Sequence, residues 1–392
     1  GTEIRHEQNI GLNYRPRWLT FLQPEIDLEG NYSEDAGPQV RLLATDPIDL
    51  KRIQTSGTAH TNITIPLSRF GGRRGAAHDT SGSFSPLAPL RFLFSKMQDL
   101  SATFDLNRSA VLDRVAGNPG LSFQTGFTEV FDDQITRFSN STFQTARRYS
   151  TRANTSFRPL DKLSFDIHGD YQLQFTDQVG GALRSAQTAW PDVNARWVDL
   201  QRLLGLNGPL TSLTLNSWYV KKSQESGPPD RDPDQILETT SFSPLLGWDA
   251  MFRSGVHLTA ASGFDKSRST DNRAADFYRD RSNKTTRLAV SKNFPASKGI
   301  KFPWSKKRVR LPNDLNLGIQ ADLGSSRGLI HQAGRDEIEE DRGTLNIGSS
   351  TNYNFSQSIT GGFNLAFRQT TDRKAFLTQR GITMSFTGAF RF

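Results

Sequence analysis

Residues 163–176 read LSFDIHGDYQLQFT, and apolar residues or glycine alternate with polar residues throughout the stretch. Successive side chains of a β-strand point to opposite faces, so this pattern predicts a strand with one apolar and one polar face. Soluble strands usually have about 5–6 residues. The longer run is typical of a tilted strand that crosses a membrane.

The same period recurs along the chain, which predicts an all-β fold. We expect an antiparallel transmembrane β-barrel, or a large segment of one, as a single region over residues 1–392 with roughly 14–17 strands. A few short helical connections are expected, and Ala88–Asp99 is expected to be a short helix or a buried loop, although 41–141 is hard to divide into elements. The further alternating runs begin at Ile10, Ile26, Leu100, Leu315, Leu345 and Ile359.

The last residues, Gly381–Phe392, also alternate and end on an aromatic residue. A closing strand of this kind resembles the C-terminal signature of bacterial outer-membrane barrels, which the barrel-assembly machinery reads. The resemblance implies an assembly signal at Phe386, Phe390 and Phe392, and a location in the outer membrane of a Gram-negative-type envelope.

Placing Phe392 on the periplasmic side assigns a side of the membrane to every connection. Outer-membrane barrels have long extracellular loops and short periplasmic turns. The expected extracellular loops are 223–235, 265–283, 336–341 and 371–379, and the expected periplasmic turns are 158–162, 253–255 and 356–358. Two longer periplasmic connections, 200–208 and 293–312, depart from the rule.

Composition excludes several classes of protein. Only 35% of the 392 residues are hydrophobic and the mean hydropathy is −0.55, and no stretch approaches the ~18 apolar residues of a membrane helix. The net charge is +8, but the basic residues are scattered, so we expect no nucleic-acid partner. The absence of cysteine excludes disulfides, thiolate metal sites and a cysteine nucleophile. No signal peptide is visible, and the pattern starts at once, so a fragment of a longer barrel is expected.

The polar face of the 163–176 strand is the candidate lining of an aqueous lumen. Asp166 beside His168 could also be interpreted as a hydrolytic pair, but neighbours two apart on one strand do not converge on a substrate atom. The six histidines lack metal-ligand spacing, and no nucleophile elbow or phosphate-binding loop is present. We therefore expect no enzymatic activity, no cofactor and no metal. The candidate lumen-lining residues are Ser164, Asp166, His168, Asp170, Gln172 and Gln174.

Two charged segments have several interpretations. The basic, aromatic segment 301–310 could dock a periplasmic or membrane partner, anchor at the lipid headgroups, or be a solvated loop. Its candidate contact residues are Trp304, Lys306, Lys307, Arg308 and Arg310. The acidic run Asp336–Asp341 is expected to be a solvated loop, with cation-bridged lipopolysaccharide contact as the alternative.

Several segments resemble the C-terminal portion of the SprA/Sov family, the outer-membrane translocon of type IX secretion. FSPLLGWDA at 242–250 is followed by an RSG turn and by FDKSR at 264–268, in the family's order. KKRVRLPNDLN at 306–316 matches the family except at Arg310 and Pro312, and a weaker match at 190–215 has Val193 where the family has Trp. GNPGLSFQTGF at 117–127 is a further, thinner match.

The resemblance is densest over Trp190–Phe392. It implies a very large barrel that exports folded cargo proteins to the cell surface, with a lateral opening and with pore-capping or plug subunits. This chain would supply part of the wall.

Three alternatives remain open. A stand-alone outer-membrane porin or receptor barrel would share the strand pattern, although a receptor should carry an N-terminal plug. A soluble β-sandwich adhesin would have shorter strands. A barrel enzyme, such as a surface protease or phospholipase, would use His168.

Overall fold

The computed structural model describes residues 5–16, 22–37, 40, 49–71, 93–128, 135–295, 313–356 and 359–390. These residues form one antiparallel sheet of fifteen strands that pair strictly in chain order. The strands are β1 Arg5–Tyr14, β2 Gln23–Asp35, β3 Lys51–Ile65, β4 Leu100–Ala116, β5 Thr136–Leu160, β6 Leu163–Gln178, β7 Gly181–Trp197, β8 Leu210–Gly227, β9 Gln235–Phe252, β10 Val256–Asp271, β11 Phe277–Phe294, β12 Leu315–Gln332, β13 Arg335–Asn354, β14 Ile359–Asp372 and β15 Leu377–Phe390.

The helical elements in the described part of the chain are single turns. A 3-10 turn spans Leu67–Gly71, and the α-helical turns are α1 (93–96), α2 (Leu121–Gln124) and α3 (Leu200–Leu203). The helix expected over Ala88–Asp99 thus corresponds to α1, and the described part of that range begins at Leu93. None of the helices that the structure describes has the length and apolar character needed to cross a bilayer.

The predicted fold class is confirmed. The strand expected at 163–176 is β6, and the strand expected near the C-terminus is β15. Strand lengths run from 10 residues in β1 to 25 in β5. The sheet is open, because no ladder in the described residues joins β1 to β15.

The expected difference in loop length between the two edges of the sheet is wrong. Over β5–β15, one edge, the upper edge, holds the turns 179–180, 228–234, 272–276, 333–334 and 373–376; the opposite, lower edge holds 161–162, 198–209 and 253–255. The connections expected to be long extracellular loops lie at the upper edge and are mostly short turns. The two strands that flank each turn stay hydrogen-bonded to each other nearly up to it. The connection 200–208 is long, as expected, whereas 296–312 lies outside the described residues.

The acidic run Asp336–Asp341 is part of β13 and does not form a loop. The turn before it contains Ala333 and Gly334, both with positive φ, which is the geometry that matches the twist of a tight hairpin. The acidic side chains face cations on neighbouring strands and turns: Glu339 lies 3.1 Å from Arg279, and Asp341 lies 2.8 Å from Arg373. Cross-strand ion pairing therefore lets this run extend the strand.

Within the described residues, the buried apolar side chains form two small clusters and no layer between two sheets. The first joins β2–β4 to Phe123 of α2, and the second joins β8 and β9 to Leu200 of α3. In both cases a connection folds back onto the sheet. Elsewhere the described sheet is a single layer, which is not the packing of a β-sandwich.

Candidate functional site: the two faces of the sheet

Strand register assigns every paired side chain to one of two faces. Partners opposite each other in an antiparallel ladder point the same way. The apolar face is the one that carries Phe165 and Ile167 of β6, together with their partners across the ladders. The polar face is the one that carries Asp166 and His168.

A band of exposed apolar side chains crosses the apolar face from β1 to β15. Ile319 in β12 is 60% exposed and Phe386 in β15 is 79% exposed. Soluble monomers rarely expose contiguous apolar patches above a few hundred Å², so this face is suited to an apolar solvent. The band includes Leu12, Phe104, Tyr171, Trp248, Leu288, Ile319, Ile347, Leu365, Met384 and Phe386.

The apolar face changes character toward the upper edge. Lys266, Arg268, Asp280 and Arg327 follow the band there, in register with one another on β10–β12. Arg268 binds the carboxylate of Asp280 with two hydrogen bonds of 2.7 Å each. The band therefore ends below the upper edge, and the hairpins continue beyond it with a charged surface.

The six residues predicted to line a lumen all lie on the polar face of β6, in register with polar residues of β5 and β7. Asp166 accepts a 2.6 Å hydrogen bond from the Ser156 hydroxyl, and Arg148 donates to the Gln172 side chain over 2.7 Å. Both partners come from β5, the strand that precedes β6 in the chain. Ser164 lies opposite Arg196, and Gln174 lies opposite Arg148 and Ser185.

Asp166, His168 and Asp170 do not converge on a common point. Asp166 is bonded to Ser156, and Asp170 lies 3.3 Å from Arg152. His168 lies between Asn154 and Asp192 in the ladder and is exposed. This arrangement is suited to a hydrated polar lining, in which each charge has a neighbour.

Two hollows lie over the polar face of the sheet. One of about 1220 Å³ lies over β11–β15 and has Gln320, Asp322, Asn346 and Arg368 in its lining. Another of about 520 Å³ lies over β5–β8 and includes Asp170 and Gln172 among others. Both spaces are lined mainly by polar-face residues, so this face offers room for water at both places.

Part of the predicted site lies beyond the described residues. Phe386 is exposed on the apolar face, with its ring centroid 5.0 Å from that of Phe363. Phe390 contributes its backbone to β15, opposite Ile359. The side chain of Phe390, the whole of Phe392, and the segment with Trp304, Lys306, Lys307, Arg308 and Arg310 lie outside the description.

A histidine that sequence reasoning did not single out joins two hairpins at the upper edge. His331 Nδ1 lies 2.6 Å from Asp336, and its Nε2 lies 3.0 Å from Asp276 in the turn of the neighbouring hairpin. Asp276 also accepts a 3.0 Å hydrogen bond from the Gly334 amide. The hydrogen bond to Asp336, followed by that to Asp276, raises the pKa of His331 above its ordinary value of 6.5. We call these three side chains the upper-edge clamp.

Raising the pH is expected to loosen the upper-edge clamp. Because the pKa of His331 is raised in the folded chain, its contribution is complete below pH 6.5 and is lost as the pH rises through the raised value. Hydrogen exchange at the Gly334 amide, corrected for the intrinsic rate, should therefore lose protection with increasing pH. His331→Phe keeps an aromatic ring next to Tyr278 and should remove the dependence. An unchanged pH profile in that variant would show that His331 is not responsible.

A second feature that sequence reasoning did not indicate is the segment 117–128, which we call the strap. It leaves β4 at the upper edge and folds down onto the apolar face of β2–β4, where Phe123 is buried against Tyr32 and Leu112. The Thr55 hydroxyl donates a 3.1 Å hydrogen bond to the Phe123 carbonyl. On these strands the chain itself covers the upper part of the apolar face.

A scan against protein-family models found no match to this chain, and a search of the curated proteins found none either. The two faces of the sheet and the contacts between its strands therefore carry the functional argument.

Proposed function

We propose that this chain forms part of the wall of an outer-membrane β-barrel, with lipid against the apolar face and water against the polar face. One observation carries the proposal: the described residues form a single sheet of fifteen strands with an exposed apolar band across one face, while the opposite face carries polar side chains in mutual contact. Membrane β-barrels have this arrangement, because only alternate residues of each strand meet lipid.

The strand lengths support the proposal. At roughly 3.3 Å per residue and a tilt near 45°, the 20 residues of β13 rise roughly 45 Å. The apolar band of such barrels is only about 25 Å tall. Hairpins of this length must extend past the bilayer, and the charged upper part of the apolar face supplies a surface for the region outside the hydrocarbon.

The open edges of the sheet favour a wall segment within a larger ring. Unpaired backbone groups cost several kcal/mol each in hydrocarbon, so strands at membrane depth must be paired on both sides. In our proposal β1 and β15 are paired by further strands of one large barrel. Such a barrel has room for folded protein, whereas a small barrel has not.

Protein export is the activity that we propose for this barrel. It rests on the resemblance to the type IX secretion translocon over Trp190–Phe392 together with the large polar face. Secreted cargo proteins would pass along the polar face, and capping or plug subunits would close the pore. The wall itself acts passively, by holding a hydrated path through the lipid.

Photocross-linking in the native host tests export. A photoreactive residue in place of Gln320, which lines the hollow over β11–β15, should form adducts with proteins that are also found in the culture medium. The same residue in place of the neighbouring Ile319 should give lipid adducts and no cargo. A stand-alone porin or receptor barrel predicts no secreted protein at either position, and this result would contradict export.

A further inference from the structure

The connection between β7 and β8 lies on the apolar face at the lower edge of the sheet. Leu200 of α3 is 6% exposed and packs in a cluster with Leu213 of β8 and Ala250 of β9. Trp197 and Leu258, also on the apolar face, flank the cluster. The helical turn thus continues the apolar band downward.

A buried glutamine holds this connection against β8. Gln201 is 3% exposed, and its amide nitrogen donates to the Thr211 carbonyl over 3.0 Å. Its amide oxygen accepts from the Leu213 backbone over 2.8 Å. The backbone amides of Leu204 and Leu206 donate back to Leu200 and Gln201. The connection is therefore a defined platform rather than a loose loop.

The platform presents leucines on its outer side. Leu203 is 68% exposed, Leu204 is 55% exposed and Leu206 is 39% exposed. Each Å² of apolar surface exposed to water costs about 25 cal/mol of free energy. Three exposed leucines within the four residues 203–206 therefore form a concentrated apolar patch. Arg202 lies within the same turn and makes no ion pair in the described structure, while nearby Lys162 lies 3.0 Å from Asp199.

We propose that residues 198–206 are a lipid anchor, which we call the lower-edge anchor. Leu203, Leu204 and Leu206 enter the acyl chains just below the headgroups of the phospholipid leaflet, and Arg202 binds headgroup phosphate. Two observations select lipid as the occupant: the anchor is continuous with the apolar band, and the exposed guanidinium of Arg202 complements phosphodiester charge. The inference rests on the proposed membrane location. It adds the position of the lower headgroup boundary relative to the sheet.

The absence of cysteine allows a direct test. The complete barrel, in which further strands pair β1 and β15, is labelled with an environment-sensitive fluorophore at single cysteines of this chain, Leu204→Cys, Ile319→Cys and Gln172→Cys, after any cysteine elsewhere in it is replaced by serine. It is then placed in phosphatidylethanolamine–phosphatidylglycerol vesicles that carry doxyl quenchers either near the headgroup or deep in the acyl chain. The lower-edge anchor predicts that the shallow quencher lowers the emission at 204 to roughly half, and more than the deep one does. The label at 172 should not respond.

The three labels separate the two proposals. If 319 is quenched by the deep quencher and 204 by neither, the lower-edge anchor is refuted and the membrane location stands. If 319 is not quenched at all, the membrane location itself fails. Arg202→Glu should weaken the shallow quenching at 204 without changing the signal at 319, and equal quenching in that variant would overturn the role given to Arg202.

Discussion

Phe123→Ala is expected to release the strap from the outside of β2–β4. The side chain is 1% exposed and fills the centre of a cluster with Tyr32, Ile53 and Leu112. Removing a buried phenylalanine side chain costs about 3–5 kcal/mol. The few other contacts of the strap, such as the hydrogen bond from Thr55, contribute about 1 kcal/mol each. Hydrogen exchange over 121–126 should therefore accelerate on the order of a hundredfold or more.

A second variant tests the same contact without touching the cluster. A side chain at Gly57 would place its Cβ 2.5 Å from the Gly126 carbonyl oxygen, so Gly57→Ala should also displace the strap. Gly348→Ala is the matched control, because no atom lies within 4 Å of the Cβ position in that strand glycine. Unchanged exchange in both Phe123→Ala and Gly57→Ala would contradict the packing of the strap on the sheet.

The strap also explains why sequence reasoning did least well over 41–141. On β2 and β3 the apolar face carries Gly30 and Gly57, because the carbonyls of Thr125 and Gly126 lie where side chains would be. Because the strap lies against these positions, glycine stands where other strands have a large apolar residue. The alternation of apolar and polar residues is therefore weak there. The residues on these faces reflect contacts between segments distant in the chain, such as that of Thr55 with Phe123, which a local pattern does not record.

Where the apolar face is not covered by another segment of the chain, the alternation of apolar and polar residues was sufficient to predict the strand and the face of each residue. β6 begins at Leu163, as the alternation predicts, and its six polar-face residues share one side. The period of two fixes the face of every residue once the strand exists. The partners of those residues, such as Arg148 and Arg152, depend on register between strands and were not predictable from β6 alone.

Charge was the misleading signal at the upper edge. The run Asp336–Asp341 was interpreted as a solvated loop because acidic residues are uncommon in strands. In the sheet, Arg279, Arg373 and His331 lie beside it on other strands and turns. Local composition cannot show that such partners come from residues up to 60 positions away.

Ile319→Arg is expected to prevent assembly into the membrane, whereas Gln320→Arg is expected to be tolerated. Ile319 lies at the centre of the apolar run Leu315–Leu323 of β12 and is 60% exposed, so its replacement removes little packing. Arginine at the lipid face of a barrel costs about 2–4 kcal/mol at the midplane. Gln320 is adjacent but on the polar face, next to Asp322, where a cation meets water and a carboxylate.

The amount of folded, protease-resistant protein in the outer-membrane fraction measures this difference most directly. Lipid on the apolar face predicts strong loss for Ile319→Arg and near wild-type levels for Gln320→Arg. Equal assembly of the two variants, or greater loss for Gln320→Arg, would contradict the assignment of the two faces and with it the membrane wall.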